Sequence, residues 1–559
     1  MSRPLRVGFV VEGFSIPAWQ AELMDAVGAE PGFERSLLLV LRGPAAATPS
    51  HPIVSAYDAF DRLVDRGRNT RVLPVALEPA GTPVLEWTPP STARLAEHAL
   101  DLLIDPGGHD LGPELATATR LGLWTIRFGD DPGHGGELPH LWELDDRHAT
   151  ATLEAQGPAG AARMLARTTC GMHPSSLVRT RCVIAAAIVN LTLGRLRGVR
   201  TLGPEFLARA SRPMLPPVSR PESPGALRLA SLFVVCGLRV ARRLWDKAVR
   251  DDFYWSVAVA PRPAEPGLEA ALHRADFREL PQPPDWFHAD PFVYEHEGES
   301  FLFVEAFPYA TGRGVISVSR IHSDGAFSPP RIVLERPYHL SYPNVFRRRG
   351  EIFMIPETSE NRTIELYRCE RFPDRWALDT VLMENIEAAD ATIVESAGRL
   401  WMFVTIASRG IWLDTELHVF HAEDVRGPWR AHPLNPVVSD VRRARPAGII
   451  WEEKGQLIRP GQDCSPGHAR ATSFQRITML TPEDYAEVPF TRLDANQIVW
   501  KRNAQRTHHW CMGSRFVAVD ATVSRFRRPR VPTRPGGGAW PTSLPLDATR
   551  EAGSRQASG

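Results

Sequence analysis

Over the second half of the chain, apolar and polar positions alternate in short runs that break at glycine. Residues 288–307, HADPFVYEHEGESFLFVEAF, give the unit: an acidic turn, an alternating run, a turn at Gly298, and a second alternating run ending on Glu305. Period-two alternation on both sides of a residue that tolerates positive φ predicts strand, tight turn, strand. LSYPNVFRRRGEIFMIPETS, from Leu340, repeats the unit with Tyr342, Gly350, Phe353 and Glu357 lying 52 residues beyond Asp290, Gly298, Phe301 and Glu305. ADATIVESAGRLWMFVT, from Ala389, repeats it 100 residues beyond, with Asp390, Gly398, Trp401 and Thr405. Two looser copies follow: ARPAGIIWEEKGQLIRPGQD with Gly455 and Gln462, and THHWCMGSRFVAVDA with Gly513 and Asp520.

Between copies lie further strand-like runs, GVISVSRI, TIELYRC and TELHVFHA, which makes about four strands per unit. Tandem four-stranded units without helical periodicity predict a β-propeller, here five-bladed, with an irregular all-β sandwich as the alternative. The last copy has too little chain behind it for a whole blade. The run FYWSVAVAP at 253–261 is therefore expected to close the ring.

The first part of the chain has a different rhythm. LRVGFVV, a helical pattern SIPAWQAELMDAVGAE, and SLLLVLRG make a β-α-β start, and ALDLLIDPGG and LGLWTIRFGD add two strands. Strand alternating with helix predicts an open, largely parallel α/β sheet. No G-x-G-x-x-G follows the first strand, so dinucleotide binding has little support. Residues 160–250 read as helices broken by SRPMLPPVSRPESPG. Within them VIAAAIVNLTL (183–193) reads as core, and ALRLASLFVVCGLRVARRLW (226–245) as a helix docked on the propeller or lying in a membrane interface. The latter is too short and too charged to span a bilayer. The chain thus reads as multidomain: an α/β domain at 1–155, a helical connector at 156–250, a five-bladed propeller at 251–525, and a Pro/Gly/Ser/Arg-rich tail at 526–559 expected to be disordered.

Composition narrows the function classes. Acidic and basic residues balance at 65 each, so a general nucleic-acid role has no support. Six scattered cysteines without C-x-x-C imply reduced thiols, and no metal site by spacing. MSRPLRVGFVV enters a strand at once without a signal-peptide pattern, and the expectation is a cytoplasmic protein.

The propeller gives the repeated polar positions a meaning. Inner strands line the channel, so Asp290, Tyr342, Asp390, Arg445 and His508 or His509 should converge at one mouth. Glu305, Glu357, Thr405, Gln462 and Asp520 form a second ring beside it. The structural alternative is that Asp290 and Asp390 make Asx-turns holding their hairpins.

The motifs ADPF, SYPNVF, PETS, ADAT, ARPAG and GQDCS resemble the amino-terminal propeller of plant glucosamine inositolphosphorylceramide transferase and its bacterial relatives. That propeller is similar to those of glycoside hydrolase families 43 and 32. The resemblance implies Asp290 as general base and Asp390 as the residue that tunes pKa and orients the sugar. It also implies a Glu on blade four as general acid, but Arg445 stands there, and arginine cannot supply a proton at neutral pH. Either Glu305 or Glu357 takes the acid role, or the site binds its ligand without hydrolysis. Arg445, with Arg442 and Arg443 nearby, suits an anionic group; it could equally pair with Asp290 or Asp390. Tyr342, Gln462, Asp463, His508 and His509 complete the expected substrate-binding set.

Residues 1–155 resemble the amino-terminal domain of the formyltransferase family, whose folate site uses an Asn, a His and an Asp. Here IRFGDDPGHGGELPHLWEL has Arg127 and Phe128 where the His is expected, with Asp130, Asp131 and His134 close by; HPSS at 173–176 precedes a helix. No cofactor is firmly implied, folate following from this likeness alone. The expected function is action on, or recognition of, a sugar, sugar phosphate or glycoconjugate at the propeller mouth. The alternatives are a non-catalytic carbohydrate-binding scaffold and an amino-sugar N-formyltransferase.

Overall fold

The structure, a computed structural model, describes residues 3–41, 52–65, 70–87, 93–129, 148–157, 160–173, 175–214, 226–263, 267–272, 276–465 and 470–526. Asp130, Asp131, His134 and the expected tail from residue 527 lie outside them.

The first part is built on a seven-stranded sheet in the order Val84–Trp87, Phe33–Leu41, Leu5–Val11, Leu102–Asp105, Leu123–Phe128, His148–Gln156, Arg163–Gly171. The first five run parallel; His148–Gln156 runs opposite to them, and Arg163–Gly171 pairs antiparallel with it. LRVGFVV is almost wholly buried, as a parallel strand covered on both faces must be. The sheet continues past residue 155 to Gly171, so the helical expectation for 160–250 needs correcting. ARTTC has no helical stripe, and the strand is held between its sheet neighbour on one side and the Leu177–Leu202 helix packed across it.

That helix contains VIAAAIVNLTL as its buried centre and is long and apolar enough to cross a bilayer, but its surface is covered within the protein. Beyond the sheet it meets the propeller. Arg195 donates to the carbonyl oxygens of Leu434 (2.6 Å) and Pro436 (3.3 Å), and Asn190 to Ser408. Val441 N–H donates to Thr169 O at 2.9 Å, joining the two parts through backbone as well.

The second part is a five-bladed propeller. Four blades are consecutive: strands beginning at Trp286, Ser341, Ala388 and Trp451 each open an antiparallel sheet of four, the third with an added pairing from Val438–Ser439. The inner hairpins turn at Glu297–Gly298, Arg349–Gly350, Ala397–Gly398 and Lys454–Gly455, with positive φ at both residues of each pair. That is the type I′ geometry whose twist suits two-residue hairpins, and it is why glycine recurs there in the sequence. Blade five joins the Trp510–Met512 and Phe516–Phe526 strands to Arg250–Pro261, which pairs along the whole of the latter. FYWSVAVAP closes the ring as the sequence implies.

The Ala226–Val249 helix departs from expectation. It docks on the α/β part rather than on the propeller: the Phe233 ring sits 5.0 Å from that of Tyr57, and Cys236 is buried in the α/β core.

Candidate functional site

In three blades the inner strand is interrupted at the same place. Pairing runs Ala289 to Glu305 and then Phe292 to Phe303; Ser341 to Glu357 and then Asn344 to Ile355; Ala389 to Thr405 and then Thr392 to Phe403. The residue at each break, Asp290, Tyr342 and Asp390, has φ of +49°, +47° and +59°. Left-handed backbone at a residue other than glycine costs about 1–2 kcal/mol and is found where surrounding structure enforces it, often at functional sites. In these three blades the two polar positions read from the sequence therefore have one origin. Each bulge turns its own side chain toward the channel, and the residue paired just before it faces Glu305, Glu357 or Thr405.

Asp290 is nearly buried. One carboxylate oxygen accepts from Tyr342 N–H on the next blade at 3.2 Å, so its turn-like bond links blades instead of closing its own hairpin. The other lies 3.4 Å from His508 Nε2 and 3.5 Å from His509 Nδ1. Burial opposes its ionisation, but the two imidazoles and the Arg445 guanidinium outweigh it and hold the carboxyl well below the usual range. His508 stacks on Trp255 at 4.0 Å and places Nδ1 2.7 Å from Asp520. Burial works against its charge, yet the carboxylates of Asp520 and Asp290 raise its pKa. Asp520 also accepts from the backbone N–H of His508 and His509.

Arg445 sits across the channel. Its Nε donates to Asp390 at 2.6 Å and an Nη donates to Glu357 at 3.3 Å. Burial disfavours the cation, and the two carboxyl groups more than offset this, so it stays charged. Of the two pairings open to it, the structure shows Asp390. Gln462 donates to the same carboxylate at 2.9 Å.

Two carboxyl groups are pushed the other way. Glu357 is raised well above the ordinary glutamate value by burial and by the charge of Asp390, despite Arg445. Glu305 is raised by burial and by the surrounding charges of Asp290, Glu357, Asp390 and Asp520. Its neighbour is His339, whose Nε2 lies 3.5 Å away. Burial holds the His339 ring down at about 4, so it is neutral, and Gly314 N–H donates to its Nδ1. The remaining Nε2 proton therefore faces Glu305.

Not every expected residue has free capacity. The Tyr342 hydroxyl is buried and bonded to Thr392 (2.7 Å) and to the backbone of Gly448. Asp463 is salt-bridged to Arg492 and accepts from Ser465 N–H. Sequence reading missed His339 and Asp414. His339 stands three residues before the Tyr342 bulge, a position that could have flagged it. Asp414, whose pKa burial raises against the opposing pull of Thr415 and Arg445, comes from an irregular loop with no pattern.

Asp290, His508 and Asp520 each bring a ligand atom within 4.8 Å of the others, an N/O set that could hold a divalent cation. A protonated His508 balances the same two carboxylates without one.

Residues 269–519 match the family described as glucosamine inositolphosphorylceramide transferase 1, N-terminal. The matched stretch holds every residue of the channel cluster except Trp255 and Asp520, and leaves the Arg250–Pro261 strand outside. Glucosamine inositolphosphorylceramide transferase 1 of Oryza sativa subsp. japonica is 36% identical over 257 residues, 45% of this chain and 34% of that protein. Its counterpart in Arabidopsis thaliana is 32% identical over 233 residues, 41% of this chain and 30% of that one. The chain thus spans about a third of the length of these curated relatives. Among solved structures, an alpha-L-arabinanase of Cellvibrio cellulosa covers 36% of this chain and 77% of its own at 12% identity and a TM-score of 0.29. Zg3597, a family 117 glycoside hydrolase produced by Zobellia galactanivorans, covers 51% and 97% at 10% identity and 0.31. The blade count rests on the strand pairing alone.

Proposed function

We propose that the propeller channel binds the sugar of a glycoconjugate and acts on its glycosidic bond. The feature that carries this is the contrast between two carboxyl groups of one channel: the imidazoles of His508 and His509 favour the ionised form of Asp290, while burial among other carboxyl groups favours the protonated form of Glu305. Glycosyl chemistry needs such a pair, one carboxylate to activate an attacking group and one acid to protonate the leaving oxygen. Glu305 suits the acid role better than Glu357, because its nearest basic neighbour is a neutral imidazole whereas Glu357 contacts Arg445. Asp390, clamped by Arg445 and Gln462, would orient the ring. The carbohydrate-related names of the relatives support this reading.

Replacing Asp290 by Asn keeps a side chain that tolerates left-handed backbone and removes the base. Turnover of aryl glycosides, nucleotide sugars and inositol-phosphate glycolipids should fall at least 100-fold in Asp290→Asn and Glu305→Gln with little change in ligand affinity. Unchanged turnover in both would overturn the assignment. A second reading, a binding scaffold without turnover, is favoured by Arg445 occupying the place where an acid is implied; it predicts ligand-dependent thermal stabilisation with no product.

For the amino-terminal sheet we propose a small-molecule site at the carboxyl ends of Leu5–Val11 and Leu102–Asp105. The strand order reverses between these two, the usual ligand position in open α/β sheets. There His109 places Nδ1 2.7 Å from buried Asp105 and Nε2 2.8 Å from Glu12. Of the residues expected near a folate site, Arg127 is bonded to Glu154 and Gly108. Titrating folate into the full chain distinguishes the formyltransferase expectation from another ligand.

A further inference from the structure

The Ala226–Val249 helix carries an apolar stripe that the protein leaves uncovered. Leu227, Val234, Leu238 and Trp245 are 90%, 62%, 64% and 65% exposed. Their spacings of seven, four and seven residues bring them within about 40° of one another around an α-helix. The helix is anchored from elsewhere on its circumference, by Phe233 against Tyr57 and by buried Cys236, so the stripe points away from the α/β part. A monomeric soluble protein rarely exposes so much large apolar surface in one line.

The charge of the same helix says what covers it. Its sequence contains Arg228, Arg239, Arg242, Arg243 and Lys247 against a single acid, Asp246. The Arg242 side chain is 83% exposed and lies 3.6 Å from Asp246. A second copy packed on the stripe would bring two such cationic helices together, which like-charge repulsion opposes. An anionic lipid surface complements both features, taking the leucines and the tryptophan at the acyl boundary and the cations among the headgroups.

We propose that this helix is an interfacial anchor that seats the protein on membranes rich in anionic phospholipid, lying in the interface without crossing it. The proposal goes beyond the channel chemistry and does not depend on it.

The test is co-sedimentation of the full chain with vesicles of phosphatidylcholine alone and with about one third phosphatidylserine, at low and high salt. The expected result is binding to the mixed vesicles, weakened by salt, and lowered at least tenfold by the double substitution Leu238→Glu/Trp245→Glu. Both side chains are exposed, so the variant should keep its melting temperature; Leu238→Ala/Trp245→Ala provides a second, uncharged comparison. Absence of binding to the mixed vesicles, equal binding by the variants, or a concentration-dependent dimer in sedimentation velocity that the variants abolish would each overturn the proposal.

Discussion

Replacing Arg445 by Met removes the cation between Asp390 and Glu357 while keeping most of the side-chain volume. Asp390 loses its 2.6 Å bond and keeps Gln462 and Glu357 as side-chain partners, while Glu357, whose pKa burial and Asp390 already push upward, loses a 3.3 Å bond. Breaking one side of a buried ion pair costs about 3–5 kcal/mol. The stranded carboxylate can also escape by taking up a proton. For an aspartic acid side chain free in water, with a reference pKa of about 3.9, protonation costs about 4 kcal/mol at pH 7 and about 1.5 kcal/mol at pH 5. The penalty is thus capped near 4 kcal/mol at neutral pH and shrinks as pH falls. A domain of this size loses about 2–4 °C per kcal/mol, so the propeller transition should drop by roughly 10 °C at pH 7 and by only a few degrees at pH 5. Adding Asp390→Asn removes the stranded charge and should restore most of the loss, since a neutral replacement of a buried pair is often tolerated. Calorimetry of the full chain at both pH values reads all three states. A loss independent of pH, or a double variant no more stable than the single one, would refute the reasoning.

Two further predictions follow from titrating groups. Because the folded state holds the Glu305 proton more tightly than the unfolded chain does, its contribution to stability is complete below the ordinary glutamate value and is lost as pH rises. Glu305→Gln should therefore raise the melting temperature at pH 8 and flatten its decline with pH; an unchanged slope would remove Glu305 as the protonated acid. His109 is opposed by burial but raised to about 9 by Asp105 and Glu12, so its stabilisation is complete below about 6.5 and disappears as pH climbs through about 9. Histidine-resolved NMR titration of the full chain checks this, and Glu12→Gln should lower the midpoint.

The propeller was legible because its blades repeat local chemistry: an alternating strand, a type I′ turn needing glycine, and a polar residue at a fixed offset. Closure by 253–261 was legible for the related reason that the last copy left a blade incomplete. What the sequence concealed is long-range. Nothing in ADPF announces a left-handed Asp290 whose carboxylate holds the next blade, and Arg445 chooses Asp390 only because the fold sets blades three and four side by side. His339 and Asp414 belong to connections without periodicity. The Arg163–Gly171 strand falls in a stretch read as helical, because its neighbours, not its own pattern, settle its state. The docking of the Ala226–Val249 helix escaped for the opposite reason: several of its large apolar residues are mostly exposed.

The clasp of blade five also bears on synthesis. Its long pair joins Arg250–Pro261 to Phe516–Phe526, so the first-made strand of the ring waits for the last. At ribosomal rates of about 5–20 residues per second, that interval lasts on the order of tens of seconds. During it the α/β sheet is already complete, and the nascent ring presents an unpaired edge at Arg250–Pro261. A nick in any loop between blades leaves both halves of the clasp attached to folded neighbours. Loss of the final strand would leave the Arg250–Pro261 edge that it covers permanently open.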